Sequence, residues 1–320
     1  MTRSKKLTAF ARYAWFVLAW NVVVILWGVF LRASRSGDGC GQHWLTCRGE
    51  VVPSAPELKT LIEFSHRITS SVAGILIIIL LIWAVTRWRR SHTGSDRLAM
   101  RMAAGSLIFV VIEGLLGAGL VLTGNTAENL TPERPFWMAA HLMNTLVLLA
   151  FLTLTARYAS DGGEITLRTP VKYLAAILAG VIAIFLVGVT GSVAALANMI
   201  FPSGTLAEGL AKDLSPTSNI LLRLRLLHPI TAILTSVFVV FLTGWLAKES
   251  GKAAGVVRWS NVLSLLVLIQ IGFGSLTLFM LAPILLQLGH LLLADAIWIS
   301  YVLLAADFLS GRVPDPDDQG

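Results

Sequence analysis

Cysteine is nearly missing from this sequence: 320 residues contain two, Cys40 and Cys47, in the segment GDGCGQHWLTC. With His43 between them they fall short of the three or four ligands that zinc gathers at one point. A disulfide closing a short loop and a redox-active pair remain as readings. Charge is scarce too, at 13% of residues, against roughly a quarter in soluble domains, which excludes an ordinary soluble fold. Acids are scarcer than bases, 18 against 25, for a net charge of +7. The basic residues are dispersed between apolar runs, so nothing supports nucleic-acid binding. No run is interrupted at its middle, as the substrate sites of many transporters are, which disfavours a carrier of haem or another ligand.

Apolar residues take the place of the missing charge: 56% of the chain is hydrophobic and mean hydropathy is +0.76. Eight runs are long enough to cross a membrane, over residues 12–31, 61–86, 100–122, 136–157, 171–196, 220–247, 257–280 and 284–307. The first lacks the short apolar core and small-residue cleavage site of a signal peptide and is expected to stay in the mature protein. Most of the 25 Lys and Arg fall on one side if the N-terminus is inside. They are Arg3, Lys5, Lys6 and Arg12, then Arg87, Arg89, Arg90, Arg97 and Arg101. Arg157, Arg168 and Lys172 follow, then Lys248, Lys252, Arg258 and Arg312. Both termini are therefore expected in the cytoplasm, with Trp83, Trp88, Trp245 and Trp259 in the inner aromatic belt.

The two halves of the chain resemble each other. LWGVFLRAS (26–34) aligns with LVGVTGSVA (186–194), and SHRITSS (65–71) with LHPITAI (227–233). EGLLGAGL (113–120) aligns with QIGFGSLT (270–277), and AHLMNTL (140–146) with GHLLLAD (289–295). The expected fold class is an all-α integral membrane protein whose eight transmembrane helices form two pseudo-symmetric four-helix bundles, residues 1–160 and 161–320. An even number of helices per repeat makes the repeats parallel rather than inverted.

His66, His141, His228 and His290 fall one on each even-numbered span, all near the outer end. A lone membrane histidine is commonly a helix-packing residue, but four in equivalent positions point to axial ligation of haem iron, one pair per bundle. Gly28, Gly117, Gly119, Gly188, Gly272 and Gly274 would let a flat macrocycle approach helix backbone. Glu63 stands one turn before His66 and is expected to face the same cavity. Neutralisation of Arg67, four residues on, is the alternative. Arg223 and Arg225 are candidates to hold haem propionates, because arginine forks suit carboxylates.

Taken together, the eight helices, the duplication, the C-x6-C loop after an arginine-ended first helix, E-x-x-H-R on the second span and the single histidines on spans 4, 6 and 8 resemble haem A synthase. The resemblance covers essentially the whole chain. It implies an oxidoreductase of the bacterial cell membrane that converts haem O to haem A for haem–copper oxidases. The substrate methyl would be oxidised twice, and the geminal diol would lose water to leave a formyl group. His66 and His141 would bind the substrate haem, and His228 and His290 a haem b cofactor. Glu63 would be the catalytic carboxylate and Cys40–Cys47 a disulfide. Haem O synthase, a protohaem farnesyltransferase, is the implied partner beside membrane lipid and an electron acceptor; homo-oligomerisation is left open. The sequence departs from the expected pattern at Glu113, where glutamine is expected as at Gln270, and in the cysteine-free segment 197–214. Asp295 should not face the haem beside His290. The alternative is a di-haem b-type electron carrier without substrate chemistry, in which Glu63 is structural.

Overall fold

The computed structural model describes residues 7–127, 129–161 and 169–311. Arg3, Lys5, Lys6, Arg168 and Arg312, and most of the segment joining the two halves, lie outside them. Ten α-helices account for nearly all of the described chain. They are α1 (Ala9–Ala33), α2 (Leu58–Ser91), α3 (Gly94–Leu122), α4 (Arg134–Asp161), α5 (Val171–Ile200), α6 (Leu206–Leu214), α7 (Ile220–Arg225), α8 (Leu227–Glu249), α9 (Ala254–Phe279) and α10 (Ile284–Ser310). Eight spans are long and apolar enough to cross a membrane, with α7 and α8 together forming the sixth, Ile220–Glu249. The chain is a multi-pass membrane protein.

Local chemistry sets the helix ends. Thr8 and Thr93 cap α1 and α3 by accepting from the N–H groups of Ala11 and Asp96. His92, in the left-handed region at φ 51°, ends α2 and lets the chain reverse into α3. Pro170 and Pro283 stand immediately before α5 and α10, where a missing N–H does no harm.

Two features were not expected from the sequence. The sixth span breaks at Leu226, just ahead of His228, because Pro229 has no N–H to give to the preceding turn. The break lies near the end of the span rather than at its middle. Within 197–214, α6 forms a short amphipathic helix capped by Thr205. There the Lys212 ammonium and the Gly204 N–H hold the Glu208 carboxyl below its usual range.

The packing order centres on α4 and α10. About 44% of the most apolar stretch of the fourth span and 50% of that of the eighth is buried, against 6–22% in the other six. Helices α1 to α4 pack in sequence, with α1 also against α4; α5, α8, α9 and α10 pack in sequence too. The halves meet through α4–α10, flanked by α1–α10 on one side and α4–α5 on the other. Exchanging α1 with α5 and α4 with α10 maps these three contacts onto themselves. Trp298 Nε1 donates to Leu146 O across this seam (2.7 Å), and Arg157 pairs with Asp307 (2.8 Å).

Tyr301 Oη donates to Ile177 O at 2.7 Å because Gly180 presents no side chain there. A Gly180→Val substitution would drive its Cβ into the tyrosine, and overpacking of this kind costs about 1–3 kcal/mol. Thermal unfolding of the purified variant in detergent should show a lowered midpoint; an unchanged one would mean that the α5–α10 contact relaxes freely.

Candidate functional site

All four span histidines lie in the half of the molecule that carries the Cys40–Cys47 loop, and each faces a helix that has no side chain at the point of contact. A Cβ on Gly28 of α1 would lie 3.0 Å from His66, and one on Gly274 of α9 would lie 2.9 Å from His290. Gly117 of α3 stands 3.9 Å from His141 in the same sense. His228, however, meets Gly191, at 3.0 Å, rather than Gly188. The fifth span is thus shifted by three residues from the alignment expected, and LVGVTGSVA pairs one turn further along. Gly188 instead receives Leu142 and Leu146 of α4, an ordinary close helix contact between the halves. Gly119 accommodates Trp137, and Gly272 has open space beside it.

The histidines come together in pairs. His228 and His290 have ring centroids 6.3 Å apart and planes at 89°. A metal–imidazole bond is about 2 Å, so two imidazoles gripping one iron from opposite faces have centroids roughly 6 Å apart. The pair fits that requirement. His66 and His141 are within electrostatic range of each other. His228 Nδ1 lies 3.5 Å from Thr190 Oγ1, while Nδ1 of His66, His141 and His290 is buried without a hydrogen-bond partner. Buried nitrogens are rarely left so, and three at equivalent places mark a site shaped for something other than protein. Among the described residues no group of three His, Cys, Asp or Glu could hold a metal ion, so a simple metal centre is not built here.

The residues at the expected Glu/Gln position also match. Glu113 Oε1 lies 3.5 Å from His141 Nε2, and Gln270 Nε2 lies 3.4 Å from His290 Nε2. Thr145 and Asn144 both donate to the Glu113 carboxylate, and Asn144 donates also to Phe109 O. Asp295 is 3% exposed, and its Oδ2 has no partner.

Glu63 is 3% exposed and fully engaged. Arg67 donates to Oε1 through Nη2 (2.5 Å) and Nε (3.2 Å), and the Cys40 N–H donates to Oε2 (2.8 Å). Arg67 Nη1 in turn holds the carbonyls of His43 (2.7 Å) and Thr46 (2.9 Å). Cys40 and Cys47 are joined as a disulfide. The ion pair to Arg67 therefore forms, and it ties the disulfide loop down beside His66. The backbone half of this arrangement, the Cys40 N–H, left no trace in the side-chain pattern.

Arg225 does not stand free for a propionate. It is bound by Asp213 through Nε (3.0 Å) and Nη2 (2.6 Å), and by Asn198 Oδ1 (2.5 Å). Asp213 comes from α6, which sequence reasoning missed. Arg223 is exposed on α7.

The family model of the cytochrome oxidase assembly proteins, COX15-CtaA, matches residues 11–302. The chain belongs to this family. A Thermus thermophilus protein named protohaem IX farnesyltransferase is 42% identical over 300 residues, 93% of this chain and 48% of that protein. A haem A synthase of Halalkalibacterium halodurans is 40% identical over 132 residues, 41% of this chain and 42% of that one. One of Alkalihalophilus pseudofirmus is 37% identical over 151 residues, 47% of each. The chain thus spans about half the length of the curated relatives it matches. For a COX15-CtaA protein with this geometry, the seating of the disulfide loop is directly testable. Gly39 lies against the Lys59–Thr60 backbone with no room for a Cβ. Gly39→Ala should lift the loop, seen as faster reaction of Cys40 and Cys47 with a thiol reagent under mild reductant; unchanged protection would contradict the packing.

Proposed function

We propose that this chain is a haem A synthase, oxidising the methyl group of haem O to the formyl group of haem A. The observation that carries the reading is the pairing of four histidines, each set against a glycine, on the four alternate spans of a COX15-CtaA chain. The relatives named haem A synthase support it over a di-haem electron carrier. On this reading the chain forms two parallel four-helix repeats, 1–160 and 161–320. His66 and His141 hold the substrate haem, and His228 and His290 hold a haem b. A bound haem b supplies one-electron transfer. Each oxidation round replaces a C–H bond of the substrate carbon by C–OH, with the oxygen taken from water, two electrons passing to an acceptor in or at the membrane and two protons to solvent; the geminal diol then releases water.

Glu63 is the carboxylate of the substrate site. Its fixed donors suit it to act as a stationary negative charge that holds the disulfide loop over His66, rather than as a mobile proton carrier. Arg87, Arg89, Arg90, Arg97, Arg101, Arg157, Lys172, Lys248, Lys252 and Arg258 lie toward the end opposite the disulfide. This supports a bacterial cell membrane with cytoplasmic termini and an oxidising exterior. The Thermus thermophilus relative bears a farnesyltransferase name and is only half matched by this chain. That supports haem O reaching this protein from such an enzyme.

The deciding experiment expresses the chain with a haem O source and identifies the extracted haems. Haem A beside protohaem is expected; protohaem alone would sink the reading in favour of the electron carrier. His228→Ala or His290→Ala should lose the low-spin haem b spectrum, because each removes one of two axial bonds. Glu63→Gln should keep both haems but lower haem A formation by about 10²-fold or more, the scale of a positioned acid–base or charged group. Near-normal haem A from Glu63→Gln would make the carboxylate an anchor only.

A further inference from the structure

On that reading the substrate brings two propionate carboxylates into the N-terminal site, and they need cationic partners. We infer that Arg32 and Arg134 are these partners, standing at the disulfide-end mouth of the His66–His141 site.

Arg134 is 2% exposed; one of its N–H groups is taken by Asn129 O, and its Nε is buried with no partner. Arg32 is partly buried and reaches only a neutral acceptor, Gln287 Oε1, at 3.4 Å. The two guanidiniums are close enough to repel each other. Among the described residues, neither has a carboxylate within ion-pair distance. Arg67, Arg87, Arg157 and Arg225 show the contrast, each being paired with Glu63, Asp96, Asp307 and Asp213 respectively. Buried charge is retained where it is paired, so two arginines without an anionic partner call for an anion from outside the chain.

Their placement says which anion. Arg32 follows Gly28, the residue facing His66, by one helical turn, and Arg134 precedes His141 by seven residues, nearly two turns on the same face. The pair therefore lies on the disulfide side of both imidazoles. Guanidinium forks match carboxylates in shape as well as charge. Carrying Gly28 onto Gly191 and His141 onto His290 puts Ala195 and Pro283 at the matching positions of the second half. The arginine pair is thus a property of the N-terminal half alone.

The test titrates haem O and its propionate dimethyl ester into the purified protein, following the spectrum of the newly bound haem. The wild type should bind the free acid at least tenfold more tightly than the ester. Arg32→Gln and Arg134→Gln should bring that ratio toward one, and Arg134→Lys should restore part of it. Retention of the haem at His228 and His290 reports that each variant is folded, and the acid-to-ester ratio of the wild type decides the matter if a variant is not. Equal binding of acid and ester by the wild type, or an unchanged ratio in both glutamine variants, overturns the inference and leaves the synthase reading standing. Loss of a co-purifying anionic lipid from the variants at unchanged ratio assigns the arginines to a lipid phosphate and overturns it likewise. If the wild type binds neither form at His66 and His141, the functional reading itself fails and the inference falls with it.

Discussion

A histidine ring in the middle of a helix pair needs a facing helix with nothing at the contact, and that steric demand organises this molecule. Gly28, Gly117, Gly191 and Gly274 meet it for the four rings. Each contact fixes which two helices are neighbours, their rotation about their axes and their register along the membrane. The order α1–α2 and α3–α4 in one half, with α5–α8 and α9–α10 in the other, follows from these four approaches together with the short connections between helices. A Cβ at Gly28, Gly191 or Gly274 would press on its histidine at 2.9–3.0 Å, whereas one at Gly117 would make an ordinary contact at 3.9 Å.

Much of this was legible in the sequence because hydrocarbon imposes a strong and simple code. Eight apolar runs, dispersed basic residues and one histidine per alternate span could be read directly, and the eight spans are found where the hydropathy put them. Register was less legible. Glycines are frequent in α5, and choosing Gly188 over Gly191 by similarity of neighbours was a three-residue error that only the position of His228 corrects. The break at Leu226 was announced by Pro229, yet a single proline nine residues inside an apolar run changes hydropathy too little to show. Asp213 reaching Arg225 from α6 is a long-range contact, and no local pattern encodes it.

The polar groups divide according to whether the chain supplies their partners. Glu63 and Arg67 complete each other and lend their remaining donors and acceptors to the loop backbone at Cys40, His43 and Thr46. That network rigidifies one wall of the N-terminal site without exposing a charge to lipid. Glu113 is likewise enclosed by Thr145 and Asn144, whereas its counterpart Gln270 donates to the His290 carbonyl. The two pairs of imidazoles therefore differ in the fixed charge set beside them, a carboxylate at His141 and a neutral amide at His290.

The seam between the halves is fastened along its length. Toward the end away from the disulfide it carries the Arg157–Asp307 pair, and further along the Trp298 hydrogen bond to Leu146 O at 2.7 Å. At the disulfide end Arg32 reaches Gln287 of α10 at 3.4 Å, and Arg35 donates to Met199 O of α5 at 2.9 Å. Fastened at both ends, the two halves are held to move together rather than to hinge apart at one edge.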